Sequence, residues 1–175
     1  MGCSTSGEIF ERSVRDESLA VAVCRFEKTQ VSSVCVPVES AADSFQAGVS
    51  IATSLHHPDL RGVLLISDGL LVNGSELCRG LNSELPATVA VTGGLAGDGD
   101  RFRKTWIIGD RQHKSGAITA VGLCGQHISF GYGSRGGWDM FGIERVVTRS
   151  RGNVLYEIDG ESALGLYERY LGRLA

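Results

Sequence analysis

Residues 62–92 constrain the fold more than any other part of the sequence. They open with GVLLIS (62–67), a continuous apolar run typical of a strand that is buried on both faces. Asn73, with Glu76 three residues later, has the pattern of a helix N-terminus. The run ATVAVT (87–92) follows and reads as another strand. This order predicts a βαβ unit at about 62–92, with two parallel neighbouring strands and a right-handed crossover.

The rest of the chain predicts more strands and two more helices. Helical spacing of apolar residues marks 40–57, and an amphipathic pattern marks a C-terminal helix at 161–174. Arg151-Gly152 is expected to turn a hairpin. The sequence therefore predicts a mixed α/β fold with a large mixed sheet, in which the strands of about 103–158 are antiparallel. Strands are expected at 18–27, 31–38, 103–108, 115–124, 126–133, 143–150 and 153–158.

Composition narrows the class of protein. The 175 residues fit one domain, and a hydrophobic content of 42% supports a core. With 17 Lys+Arg against 20 Asp+Glu, the net charge is −3 without a basic stripe, which argues against nucleic-acid binding. No apolar run is long enough for a membrane span. Five cysteines without a C-x-x-C pair indicate neither a disulfide framework nor a zinc site, and we expect a cytoplasmic location.

A glycine-rich loop is the first candidate binding element. The stretch VTGGLAGDGDRF (91–102) overlaps the end of a predicted strand, where glycines let a ligand approach backbone N–H groups. It lacks the Gly-Lys-[Ser/Thr] of a phosphate-binding loop, and it leads to a strand rather than a helix. Phosphate binding is therefore not favoured. A plain sharp turn is the alternative.

The chain also resembles itself. GCSTSGEIF (2–10) followed by LAVAVC (19–24) parallels GGLAGDGDRF (93–102) followed by ITAVGLC (118–124). The second glycine loop follows a βαβ unit, whereas nothing precedes the first. If the repeat is real, a strand and a helix are expected before Gly2, and the chain is expected to be a fragment of a longer domain.

Acidic and aromatic residues provide further candidates. Asp68 and Asp98 lie in turns after strands, where carboxylates could meet the ammonium group of a small ligand. The alternative is that they bond their own turn backbones. Trp138 stands in a glycine-rich turn and either caps a pocket or, more commonly, closes the end of a core. The four histidines have no metal-ligand spacing, so no metal site is predicted.

Five stretches, read together, resemble the N-terminal FIST domain, a sensory module of signal-transduction proteins. The resemblance covers nearly the whole chain. The stretches are GCSTSGEI (2–9), SDGLLVNGSEL (67–77), VTGGLAGDGDRFRKT (91–105), GWDMFG (137–142) and VTRSRGNVLYEIDGESALGLYERYLG (147–172).

The resemblance implies a single sensory domain over residues 1–175 that lacks the family's first strand and helix and its C-terminal partner domain. Its output would then pass to a signalling protein in trans, without contact to nucleic acid or membrane. The implied ligand is a small molecule such as an amino acid. The resemblance implies no enzymatic activity for the domain. One alternative is a haem-based nitric oxide sensor, although no histidine matches a ligating position. Two others are an unrecognised enzyme using Ser4, Cys3 or the aspartates, and an interaction domain without a ligand.

Both lines of reasoning predict one site, formed by two loops at strand ends. Backbone N–H groups would meet the carboxylate of a zwitterion, and aspartates would meet its ammonium group. Neither a catalytic residue nor a cofactor is predicted, with haem left open. The predicted ligand-binding residues are Cys3, Ser4, Thr5, Gly7, Asp68, Gly93, Gly94, Gly97, Asp98, Gly99 and Trp138.

Overall fold

The computed structural model describes residues 1–133, 136–137, 139–140 and 142–172. The chain divides into two compact units, residues 1–132 and 133–175. The elements of the first unit are β1 (Gly2–Cys3), β2 (Glu8–Phe10), β3 (Ser13–Arg15), β4 (Gln30–Pro37), α1 (Ser44–Ser54), β5 (Leu60–Ser67), α2 (Gly74–Glu84), β6 (Ala90–Leu95), β7 (Ile107–Gly109), β8 (Gln112–Lys114) and β9 (Ala117–Cys124). Those of the second are β10 (Val147–Arg151), β11 (Val154–Ile158), β12 (Glu161–Ser162) and α3 (Ala163–Leu171).

A four-stranded mixed sheet with the order β4-β9-β5-β6 is the centre of the first unit. Strands β5 and β6 are parallel, with Gly62 opposite Ala90 and Ser67 opposite Leu95. They are joined through α2, so the predicted βαβ unit is confirmed. Strand β9 runs antiparallel to both β4 and β5. The predicted mixed α/β class is confirmed, with the strands distributed over this sheet and three smaller ones.

The core lies between this sheet and the helices α1 and α2. Alternate residues of β5, Val63 and Leu65, join Ile51 of α1 and Leu81 of α2 in one buried cluster. Ile66, the residue after Leu65, packs instead against a second cluster of Ala96, Ile107 and Ala117. The period of two along a strand thus gives β5 an apolar contact on each side of the sheet.

Asn73 caps the N-terminus of α2 as the sequence predicts, but the backbone N–H of Asn73 has a different acceptor from that of a capping box. Asn73 Oδ1 accepts hydrogen bonds from the N–H groups of Ser75 (3.1 Å) and Glu76 (3.3 Å). The N–H of Asn73 donates to Ser44 Oγ at 2.9 Å, where a capping box would use Glu76. Glu76 pairs with Arg79 instead, at 2.7 Å. A buried serine of α1 therefore ties the two helices together.

The prediction of a strand at 18–27 is wrong. Residues 18–26 form neither a strand nor a helix, and Leu19, Val21 and Val23 are mostly exposed. Alternating apolar residues favour a strand only where a neighbour supplies hydrogen bonds and covers one face. No strand in the described part of the chain does this for residues 18–26.

The predictions for 103–108 and 126–133 also need correction. In place of the first strand the structure has β7, which begins only at Ile107, while residues 103 and 104 donate their N–H groups to Asp98. Residues 126–133 form no strand. The Phe130 ring fills the space that a side chain at Gly62 would need, so the segment packs through this ring rather than through a ladder of hydrogen bonds.

The second unit contains the predicted hairpin and C-terminal helix. Strands β10 and β11 are antiparallel, and they meet at Arg151 and Val154, with Gly152 at a φ of 58°. Helix α3 begins after Ser162, whose Oγ accepts the N–H of Gly165 at 3.3 Å. Both predictions are confirmed. Among the helices that the structure describes, none is long and apolar enough to cross a membrane.

Candidate functional site

The two glycine loops lie against each other, as the sequence predicts. Strand β1 pairs with β7, so the loop after Cys3 runs beside the loop after Leu95. Ser4 O accepts the N–H of Gly97 at 3.0 Å, and Ser6 Oγ accepts that of Gly99 at 3.0 Å. A side chain at Gly97 would come within 2.8 Å of the Ser6 backbone. Gly97 therefore permits this close contact of the two loops.

Most polar groups of the first loop already have partners within the protein. Ser4 Oγ accepts the N–H of Trp106 at 3.1 Å. Thr5 Oγ1 donates to Glu8 Oε1 at 2.6 Å and accepts the N–H of Gly7 at 3.3 Å. The thiol of Cys3 is partly buried, and burial raises its pKa. Ser4, Thr5 and Gly7 therefore hold the loop, and burial disfavours the thiolate form of Cys3.

Asp68 is buried at the end of β5 and organises the turn that follows. Its Oδ1 accepts the N–H groups of Leu70 (2.8 Å) and Leu71 (2.9 Å), and its Oδ2 accepts that of Gly116 (3.0 Å). Burial alone would raise the pKa of this carboxyl group, but the three backbone hydrogen bonds outweigh burial and lower it. Asp68 thus joins the turn before α2 to the residue before β9.

Asp98 organises the second glycine loop in the same way. Its Oδ2 accepts the N–H groups of Lys104 and Arg103, both at 3.0 Å, and its Oδ1 accepts the Arg101 guanidinium at 2.8 Å. The two backbone bonds and then Arg101 lower the pKa of Asp98 from 3.8 to about 2. The carboxylate groups of both predicted aspartates therefore already hold backbone N–H groups.

The lowered pKa of Asp98 predicts how stability depends on acid. The ionised form is stabilised in the folded state, so its contribution is present above the ordinary value of 3.8 and is lost as the pH falls through about 2. We expect Asp98→Asn to lower the urea midpoint at pH 6, with the difference from the original chain shrinking between pH 4 and pH 2. Asp100→Asn, in the same loop, removes a carboxylate that accepts none of these N–H bonds. An equal effect of both substitutions would show that the hydrogen bonds of Asp98 do not cause the acid dependence.

A cleft of about 270 Å³ lies between α2 and β6, next to the paired loops. Strand β6 is at the edge of the sheet, so no further strand of the described chain covers this side. Two residues of the predicted site, Gly93 and Gly94, line the cleft. Its lining also includes Leu65, Ser67, Gly74, Leu77, Val91 and Leu95.

Three glycines line this cleft, and their surroundings differ. Gly93 has a φ of 155°, and a side chain there would overlap the backbone of Leu65 on the neighbouring strand. At Gly74 and Gly94, a Cβ atom would meet no atom within 4 Å. Because both residues line the cleft, a larger residue at Gly74 or Gly94 would begin in open space without a clash at its Cβ atom. These two positions allow the cleft to be filled experimentally.

Ser67 is the unusual polar group of the cleft. Its residue is 1% exposed, and its Oγ has no hydrogen-bond partner among the described residues. Leaving a buried hydroxyl group without a partner costs about 1–3 kcal/mol, so most such groups in proteins are satisfied. The hydroxyl group of Ser67 thus has unused hydrogen-bonding capacity, whereas the carboxylate groups of Asp68 and Asp98 already accept backbone N–H groups.

Comparison with protein families decides what kind of domain this is. The model of the FIST N domain matches residues 1–161 of the 175. The chain belongs to the FIST N domain family. FIST domains are sensory domains of signal transduction and are not a known enzyme family. Neither curated proteins nor solved structures give a match to this FIST N domain.

Sequence reasoning missed Ser67 in this FIST N domain. The available signal was a polar residue at the end of the apolar run GVLLIS, where strand β5 meets a turn. Trp138, the remaining predicted residue, lies outside the described residues. Within the described ranges, no group of three His, Cys, Asp or Glu residues is placed to hold a metal ion.

Proposed function

We propose that this FIST N domain senses a small molecule that binds in the cleft between α2 and β6. The observation that supports this proposal best is Ser67, a buried residue in the lining of an open cleft, whose hydroxyl group has no partner in the described part of the protein. Ligand sites commonly combine apolar walls with a few polar groups that orient the ligand. A volume of about 270 Å³ suits a molecule of small-metabolite size rather than a nucleotide.

The position of the cleft favours coupling to the paired loops. Ser67 O accepts the N–H of Ala96 at 2.8 Å, and the next residue, Gly97, donates to Ser4 O. The cleft and the loop after Cys3 are therefore connected by consecutive backbone hydrogen bonds. A ligand that prefers one arrangement of β6 would shift the population of loop conformations. A signalling partner in trans would read that shift.

The first test compares the ligand-dependent unfolding of the original chain with that of a variant whose cleft is filled. A ligand that binds only the folded state raises the melting temperature by mass action. We expect members of a panel of small metabolites, amino acids included, to raise it for the original chain but not for Gly74→Leu, which fills the cleft. Gly131→Leu is the control, because a Cβ there also meets no atom within 4 Å and the residue lies outside the cleft lining.

An absorption spectrum of the same sample tests the haem alternative directly. A Soret band that persists after purification would replace the small-molecule proposal with haem sensing. If no metabolite in the panel raises the melting temperature, or if Gly74→Leu leaves the increase unchanged, the cleft is not the sensory site.

The orphan hydroxyl group also predicts an effect on stability. Ser67→Ala removes a buried polar group without a partner, so we expect the free energy of unfolding without ligand to stay constant or to rise by up to about 1 kcal/mol. Ser44→Ala is the matched control, because Ser44 is equally buried but its Oγ accepts the N–H of Asn73. We expect that substitution to cost about 1–2 kcal/mol. Urea unfolding of both variants measures the contrast, and an equal loss in both would show that Ser67 has a protein partner.

A further inference from the structure

We infer that the ligand of the cleft is an uncharged, largely apolar molecule that carries a hydrogen-bonding group. This inference rests on the proposed function, because it concerns the same cleft. Such a ligand differs from the amino acid predicted from the sequence. Three features of the cleft support it: the uncharged lining, the capped N-terminus of α2 and the apolar walls.

The first argument concerns charge. None of the described residues that line the cleft is Asp, Glu, Lys, Arg or His. The nearby carboxylate groups of Asp68 and Asp98 already accept backbone hydrogen bonds. A bound ammonium or carboxylate group would lose its hydration without gaining an ionic partner from the lining. Such a transfer is costly for a charge and much less costly for a hydroxyl or carbonyl group.

The second argument concerns the N-terminus of α2, which would otherwise attract an anion. Asn73 Oδ1 already accepts the N–H groups of Ser75 and Glu76, and Asn73 O accepts that of Leu77. Glu76 also adds a negative charge in the first turn of the helix. An anionic ligand would therefore compete with the cap that the protein provides.

The third argument concerns the walls of the cleft. Leu65 and Leu77 are buried members of the core, and Val91 packs against that core beside them. Leu95, opposite Ser67 on the neighbouring strand, is half exposed at 54%. These side chains match an aliphatic or aromatic body, while the hydroxyl group of Ser67 has one O–H donor and two acceptor lone pairs for a ligand to use. Thr92 and Cys78 also line the cleft, so all of its polar side chains are uncharged. A largely apolar body that carries an uncharged polar group fits this lining best.

Three six-carbon probes test the inference, because they share a chain and differ in charge. They are 1-hexanol, hexanoate and norleucine, added separately to the full chain. Backbone amide NMR signals of Gly93 and Gly94 report binding at the cleft, and their titration gives the affinity. We expect hexanol to bind at least about tenfold more tightly than hexanoate or norleucine, a difference of about 1.4 kcal/mol.

Variants of the cleft separate specific binding from general effects of an alcohol. Ser67→Ala should weaken hexanol binding about three- to tenfold, the range expected for one neutral hydrogen bond. Gly74→Leu should abolish it, and Gly131→Leu should leave it unchanged. Because Ser67→Ala is expected to fold at least as stably as the original chain, a loss of binding in that variant is not a loss of fold.

The outcomes distinguish failure of this inference from failure of the proposed function. If norleucine or hexanoate shifts the Gly93 and Gly94 signals at lower concentration than hexanol, the cleft binds small molecules but prefers a charged one, and only the inference is overturned. If no probe shifts these signals, or if Gly74→Leu binds hexanol as the original chain does, both are overturned.

Discussion

Asp68→Ala is expected to lower the free energy of unfolding by about 4 kcal/mol, the largest loss that we predict for a single side chain of this FIST N domain. The carboxylate is 2% exposed and accepts three backbone N–H groups, from Leu70, Leu71 and Gly116. Alanine leaves these donors without their acceptor, at about 1–3 kcal/mol for each group that water cannot reach. Urea unfolding at pH 7 measures the loss.

Two further variants separate the hydrogen bonds from the effect of removing a charge. Asp68→Asn keeps one oxygen for Leu70 and Leu71 but can turn an NH₂ group toward the N–H of Gly116, so we expect about half of the loss. Asp43 is exposed and also accepts two backbone N–H groups, from Glu39 and Ser40. Asp43→Ala should cost much less, because water replaces the lost acceptor. Equal losses for Asp43→Ala and Asp68→Ala would show that burial of Asp68 does not matter.

The position of Asp68 also shows how far sequence reasoning reaches. An aspartate directly after a buried strand predicts either a ligand contact or a bond to its own turn, and the pattern alone does not choose. The choice depends on Gly116, which is 48 residues away and joins the same carboxylate through the order of the strands. Such long-range partners are decided by topology and not by local spacing.

Local signals did predict the elements that depend on local chemistry. The apolar run of β5, the Asn73 cap and the turn at Gly152 each specify their structure within a few residues, and each is confirmed. The segment 18–26 has the pattern of a strand and still forms none. A strand requires a hydrogen-bonding partner from elsewhere, and the alternation of Leu19, Val21 and Val23 carries no information about that partner.

The sequence predicts the contact of the two glycine loops but not the cleft beside them, because the cleft depends on long-range partners. The glycine loops were expected to meet, and the bonds from Gly97 to Ser4 and from Gly99 to Ser6 bring them together. The cleft beside them depends on the edge position of β6 and on Ser67, a residue whose hydroxyl group has no local role. A sequence pattern does not show whether a buried hydroxyl group has a hydrogen-bond partner. Only the three-dimensional arrangement identifies Ser67 as a candidate.

Two glycines also allow the close contact between α1 and α2. Gly48 and Gly80 lie where the two helices cross, and a Cβ atom built at Gly80 would be 3.2 Å from Gly48 Cα and would overlap Phe45 O. A Cβ atom at Gly48 would be 2.8 Å from Leu81 N. These neighbours are backbone atoms, which cannot move aside as a flexible side chain can. The helices pack this closely because both positions lack a side chain.

Gly48→Ala is therefore expected to destabilise the domain by about 3 kcal/mol, although alanine favours a helix over glycine by about 1 kcal/mol. The helices must separate to admit the methyl group, which weakens the packing of Ile51 and Leu81 in the core. Gly74→Ala on α2 is the matched control, because its Cβ meets no atom within 4 Å and no loss is expected. Urea unfolding of both variants tests the contrast. A Gly48→Ala domain as stable as the original would mean that α1 and α2 are farther apart than the structure places them.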